Sequence, residues 1–73
     1  MKYKLLVNAI EIYTSSADTN PKFYSKTDLK DFKVENNHRV ILSFWNLGKV
    51  HTYVLERLTS VQITELKNFW GIS

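Results

Sequence analysis

The chain has 73 residues, a formal net charge of +3, 14% aromatic residues and no cysteine. That length holds one domain, residues 1–73, which buries only about 60% of the surface its unfolded chain exposes. Without cysteine, neither a disulfide framework nor a thiolate metal site can staple the fold. The charge excess is small beside the dense Lys/Arg clustering of dedicated duplex-DNA binders.

The apolar run Leu5-Leu6-Val7 is too short for a signal-peptide core or a bilayer span. A soluble, cytoplasmic protein with no membrane partner is therefore expected. It begins with Met and reads as a complete small protein. Eight lysines stand against two arginines, a usage that suggests an AT-rich genome such as that of a low-GC bacterium or its phage.

Residues 2–13 read as one strand. Tyr3, Leu5 and Val7 alternate with their neighbours, and after Ala9 the apolar phase moves to Ile10 and Ile12. A period-2 pattern that slips by one residue suggests a β-bulge, and hence a bent strand serving two parts of a curled sheet. Residues 14–22 form a polar loop with a turn signal at Asn20-Pro21. Phe23 and Tyr24 return to the core. Residues 25–30 are either one helical turn capped by Ser25 or Thr27, or the approach to a strand. Residues 31–34 alternate, with Phe32 and Val34 on one face. Glu35-Asn36-Asn37 then closes a three-residue loop, since Asn tolerates positive φ, and Phe32 is placed beside Val40.

The hairpin over residues 39–55 is the organising element. Asn46-Leu47-Gly48 reads as a three-residue loop with Gly48 in the left-handed position. Trp45 then pairs with Lys49, Ser43 with His51 and Ile41 with Tyr53. Val40, Leu42, Phe44, Val50, Thr52 and Val54 share a core face. Arg39, Ile41, Ser43, Trp45, Lys49, His51, Tyr53 and Leu55 share the other.

The spacing predicts a helix over residues 60–70. Thr59 and Gln62 form a capping box, and Leu58 with Ile63 a hydrophobic staple. Gly71 supplies the left-handed C-terminal cap, with Ile72 folding back. Ile63, Leu66, Phe69 and Trp70 line one side. So short a helix is marginal alone, so this side must dock on the sheet, and deletion from Leu66 onward is expected to unfold the domain. The fold class is therefore α+β: a small curled antiparallel sheet or half-barrel of four to five strands, with one C-terminal helix packed on it. In outline, the strand–turn–strand–helix order over residues 31–70, with its glycine turn, resembles the KTSC and LytTR domains. That likeness is one of hydrophobic spacing and carries no residue roles.

Chemistry is sparse. His38 and His51 are the only histidines, and no calcium-loop pattern is present. There is no G-x-S-x-G, and two glycines cannot make a phosphate-cradling loop. Ser43 opposite His51 lacks a third group and an oxyanion donor. The acids lie on separate elements, so no carboxylate pair can be argued. No catalytic residue, metal ligand or cofactor is assigned, and the chain is read as not an enzyme.

Binding remains. Arg39, Trp45, Lys49, His51 and Tyr53 form the candidate partner-binding set, with Ile41 between them. If a second apolar layer from the N-terminal strand and Phe23 or Tyr24 covers this face, Lys49 simply lies over Trp45. If the face is open, it is a docking surface, because Trp, Tyr and Arg are enriched among interface hot spots. The expected function is a non-enzymatic protein–protein interaction module, of the kind a phage or mobile element encodes as a small regulator or inhibitor. The alternative is a single-stranded DNA- or RNA-binding protein that stacks bases on these aromatics, with Lys2, Lys4, Lys33, Arg39 and Lys49 following the phosphates. A hairpin edge in so small a sheet can also pair with its symmetry mate to give a homodimer, to which Trp70 could add.

Overall fold

A computed structural model describes residues 2–14 and 20–72. Its elements are β1 (Lys2–Leu5), β2 (Ala9–Tyr13), β3 (Lys22–Ser25), a single 3-10 turn (Lys26–Asp28), β4 (Leu29–Glu35), β5 (Arg39–Asn46), β6 (Lys49–Leu55) and α1 (Ser60–Trp70). The architecture is α+β. The strands form two antiparallel three-stranded sheets, β1-β2-β3 and β4-β5-β6, in place of one curled sheet of four to five strands. The middle of the predicted polar loop, positions 15–19, lies outside the described residues. No described helix is long and apolar enough to cross a membrane.

The extra strand comes from residues 2–13. The slip in apolar phase is a turn, not a bulge. Lys2 to Leu5 pair with Tyr13 to Ile10 in antiparallel register, and the Leu6 N–H donates to the Ala9 carbonyl at 2.8 Å. A two-residue reversal at Val7-Asn8 puts odd positions opposite even ones. Tyr3 and Leu5 therefore share a face with Ile10 and Ile12.

A bulge does occur, but in β4. The register shifts between Leu29 and Asp31, so Leu29 faces inward with Phe32 and Val34 although its number is odd. The following loop is Asn36-Asn37-His38, with Asn36 and Asn37 both at positive φ. Phe32 pairs with Leu42 and Val34 with Val40. This register is two residues away from the expected one, so it leaves the Phe32/Val34 face with Val40, Leu42 and Phe44 as predicted.

The β5–β6 hairpin departs further. Leu47 and Gly48 both have positive φ, 53° and 79°, the signature of a two-residue type I′ turn. Asn46 pairs with Lys49, Trp45 with Val50, Phe44 with His51, Leu42 with Tyr53 and Val40 with Leu55. The three-residue loop and its core face are thus corrected. Leu55, Tyr53 and His51 face inward with Val40, Leu42 and Phe44, while Val50, Thr52 and Val54 face out. The twist of a type I′ turn matches that of the strands it joins, and this is why such hairpins are common even where a non-glycine residue must sit left-handed.

The core is shared by all three layers. Ile10, Ile12 and Tyr24 from the N-terminal sheet meet Val40, Leu42, Phe44 and Leu55 from the other, together with Ile63 and Leu66 of α1. Tyr24 enters as expected, whereas Phe23 points outward and is exposed. Helix α1 begins and ends as its sequence requires. The Thr59 side chain accepts from Gln62 N–H, and the Gln62 side chain accepts from Thr59 N–H. At the other end, the Gly71 N–H donates to Asn68 and the Ile72 N–H to Lys67, completing a Schellman cap. Trp70 turns inward, with its ring 5.9 Å from Phe32 and 6.2 Å from Phe44. Its indole N–H donates to the Lys26 carbonyl at 3.0 Å. Trp70 is thus half-buried and packs against the core.

Leu47 is 96% exposed and its left-handed backbone is strained, so its side chain contributes cost without contact. Leu47→Asn, which creates the Asn-Gly dipeptide that type I′ turns favour, is expected to raise unfolding stability by about 0.5–1 kcal/mol in urea titrations. A destabilised variant would contradict this turn.

Candidate functional site

The hairpin register decides which side chains are available to a partner. Outward-facing side chains alternate along each strand of the C-terminal sheet. β4 presents Asp31, Lys33 and Glu35. β5 presents Arg39, Ile41, Ser43 and Trp45, and β6 presents Val50, Thr52 and Val54. Directly opposed pairs build an apolar strip, Trp45 against Val50 and Ile41 against Val54. Trp45, Val50 and Val54 are 48%, 44% and 37% exposed. Between the two pairs, the Ser43 and Thr52 hydroxyls lie 3.0 Å apart, so the polar centre of the strip satisfies itself.

Charge on this face is balanced by contact. Lys30 Nζ is 3.0 Å from Asp31, and Lys33 Nζ is 3.5 Å from Glu35. Arg39 reaches Glu35 at 3.7 Å and Glu56 at 3.1 Å. Exposed pairs of this kind contribute little to stability, but they leave each of these cations beside a carboxylate. The β4 bulge also carries the Lys30 amine over Trp45, 5.7 Å from the ring centre. Lys30 takes the position expected for Lys49.

Of the five predicted partner-binding residues, the structure keeps Arg39 and Trp45 on this outer face. Lys49 pairs with Asn46 beside the turn. His51 and Tyr53 are on the other side of the sheet, beneath Tyr24. The tyrosine ring stacks on Phe44 at 4.5 Å and 12°. Its hydroxyl lies 2.9 Å from His51 Nδ1 and is hydrogen-bonded to the Tyr53 hydroxyl. The expected Ser43–His51 pair is absent: Ser43 partners Thr52 and His51 partners Tyr24, on opposite faces.

Sequence reasoning missed Val50, Val54 and Lys30 as surface residues. The signal for the first two was Leu47-Gly48 read as a two-residue turn. Lys30 depends on a bulge that no residue at that position announces.

The inner cluster is a clasp between sheets. Burial pushes the Tyr24 phenol above its ordinary value near 10, and the hydrogen bond and negative charge of Tyr53 push the same way. A phenol held neutral in this manner stays protonated near neutral pH and beyond the ordinary tyrosine range. Among the described residues, no group of three or more His, Cys, Asp or Glu side chains gathers to hold a metal ion. An open groove of about 660 Å³ runs between β1 and the start of α1. Lys2, Arg57, Glu56 and Glu65 line it over Tyr3, Leu5 and Leu58, and its mixed charge selects no ligand class.

Because the folded-state pKa of Tyr24 lies above its unfolded value, the unfolded chain loses this proton first as pH rises. The stabilisation from Tyr24 is complete below about pH 10 and is lost above it. Tyr3, raised by burial and by Glu65, adds to the same decline. Urea midpoints measured across the alkaline range are expected to fall with pH in the wild type and more shallowly in Tyr24→Phe. Equal slopes would show that the Tyr24 hydroxyl is not held neutral. No protein family, curated protein or solved structure matches the chain, so the outline likeness to KTSC and LytTR domains carries nothing further.

Proposed function

We propose that this chain is a non-enzymatic protein–protein interaction module that binds a partner protein through the outer face of its C-terminal sheet, as a small regulator or inhibitor. The observation that carries this reading is the Trp45–Val50 and Ile41–Val54 strip, apolar and open, bordered by charges that already have partners. Tryptophan is among the residue types most enriched at interface hot spots, and here it sits half-exposed in an apolar strip inside a polar rim.

Single-stranded nucleic acid fits this face less well. Stacking platforms need several open aromatics and cations free to follow phosphates. Here Tyr53 is turned toward Tyr24, and Lys30, Lys33 and Arg39 lie beside carboxylates.

The test is a double substitution that spares the core. Trp45→Ala with Val50→Lys is expected to keep the circular-dichroism spectrum and to lose no more than about 1 kcal/mol, the value of an exposed cation–π contact. It should also abolish capture of the partner that wild type and a Val7→Lys control both retain from source-cell extract. Tyr53 is unsuited to this experiment because its hydroxyl is bound to Tyr24. In parallel, fluorescent oligonucleotides at low salt should leave the tryptophan emission unchanged. Capture that survives the double substitution would overturn the reading, and so would salt-sensitive oligonucleotide binding that the substitution abolishes.

A further inference from the structure

Among the described residues, two open sheets present four edge strands, and three are defended against pairing. β1 has four residues, of which Lys2 and Lys4 are exposed lysines. β3 also has only four residues and begins with Lys22. β4 is interrupted by its bulge and carries Lys30, Asp31, Lys33 and Glu35. Short length, edge lysines and bulges are the devices that keep sheet edges from associating. β6 carries one lysine, Lys49 at its turn end, but is neither short nor bulged. It runs seven residues in unbroken register with β5. It contains no proline or glycine, and its outward side chains are Val50, Thr52 and Val54. Its two internal titratable groups, His51 and Tyr53, are turned in toward Tyr24.

The backbone of β6 is arranged for a partner. Asn46 and Lys49 flank a two-residue turn and so form a hydrogen-bonded pair. In an antiparallel ladder such pairs alternate with non-bonded ones, which makes Phe44:His51, Leu42:Tyr53 and Val40:Leu55 the bonded pairs. The N–H and C=O groups of Val50, Thr52 and Val54 therefore point away from β5, into the open edge.

We infer that β6 pairs antiparallel with β6 of a second copy of this chain about a two-fold axis at Thr52, joining two three-stranded sheets into one of six strands. In this register Thr52 meets Thr52 of the partner subunit, and Val50 meets Val54 of the partner subunit. All three are residues whose backbone groups are free, so each opposed pair exchanges two hydrogen bonds. The valines bring the two Trp45–Val50 and Ile41–Val54 strips into one continuous apolar band. The register is self-complementary: it sets each backbone group left free on one copy against one left free on the other. The outer face has its cations ion-paired, so the copies meet without like-charge repulsion there. The inference is separate from docking through the outer face: either can fail while the other stands.

Sedimentation velocity of wild type from about 1 μM to about 1 mM is expected to show a monomer–dimer equilibrium. Thr52→Pro removes an N–H that β5 does not use and blocks the edge, and should raise the dimer Kd at least about tenfold. Thr52→Cys keeps the test valid if the proline variant fails to fold. The chain has no other cysteine, and opposed bonded residues sit about 5.5 Å apart at Cα, within the usual disulfide span of about 4.4–6.8 Å. Thr52→Cys should therefore oxidise to a covalent dimer much faster than an exposed Val7→Cys control. A wild type that stays monomeric throughout overturns the inference. A dimer in which Thr52→Cys crosslinks no faster than the control also overturns it, by excluding this edge and register.

Discussion

One backbone decision governs what this protein shows to its surroundings. Leu47 takes a left-handed conformation that costs an L-residue about 1–2 kcal/mol. In return, the β5–β6 turn has two residues instead of three. Adding or removing one residue in a hairpin loop moves every side chain of the second strand to the opposite face. With the observed turn, Leu55 and Tyr53 complete the core and two valines reach solvent. With a three-residue loop, Val50 and Val54 would be interior, and Tyr53, His51 and Lys49 would stand beside Trp45. Burial settles the contest: Leu55 and Tyr53 supply more apolar area than the valines they displace, enough to outweigh one strained residue.

The inward Tyr53 also explains how two separate sheets cohere. Among the described residues, no hydrogen-bonded ladder links them. They are joined by packing of Ile10, Ile12 and Tyr24 on Val40, Leu42, Phe44 and Leu55, and by the hydroxyl contacts of Tyr24 with His51 and Tyr53. Phe44 is the common member. It touches Tyr24 on the side of the N-terminal sheet and Trp70 on the side of the helix. The Trp70 N–H closes the circuit by holding the Lys26 carbonyl at the exit of β3. A chain this short buries too little surface to afford redundant contacts, so its aromatics serve two layers each.

What was legible in the sequence followed from signals that do not depend on a distant partner. The capping box at Thr59 and Gln62, the glycine cap at Gly71 and the Phe32/Val34 alternation are local, and each appears where expected. The split of residues 2–13 was misread because a two-residue turn and a bulge produce the same one-step slip in apolar phase. Nothing at Val7-Asn8 has the glycine or proline that marks a tight turn. The candidate site was half-legible. Trp45 and Arg39 keep their predicted face because a two-residue shift of β5 against β4 leaves its faces unchanged, while His51 and Tyr53 went with the misread turn. Intrinsic preference argued against Leu47 at positive φ, and tertiary packing overrode it.

The charge pattern supports the proposed preference of the outer face for a protein over a polyanion. A net charge of +3 reads as basic only while the charges are unplaced. On the outer face, Lys30, Lys33 and Arg39 sit against Asp31, Glu35 and Glu56, so that face is close to neutral. The excess therefore lies elsewhere, including at Lys2 and Lys4 on the β1 edge, where lysine discourages strand pairing. A phosphate backbone arriving at the outer face would have to displace each carboxylate from its cation. An apolar protein surface would need only to displace water from Trp45, Val50 and Val54, and would leave the rim pairs in place.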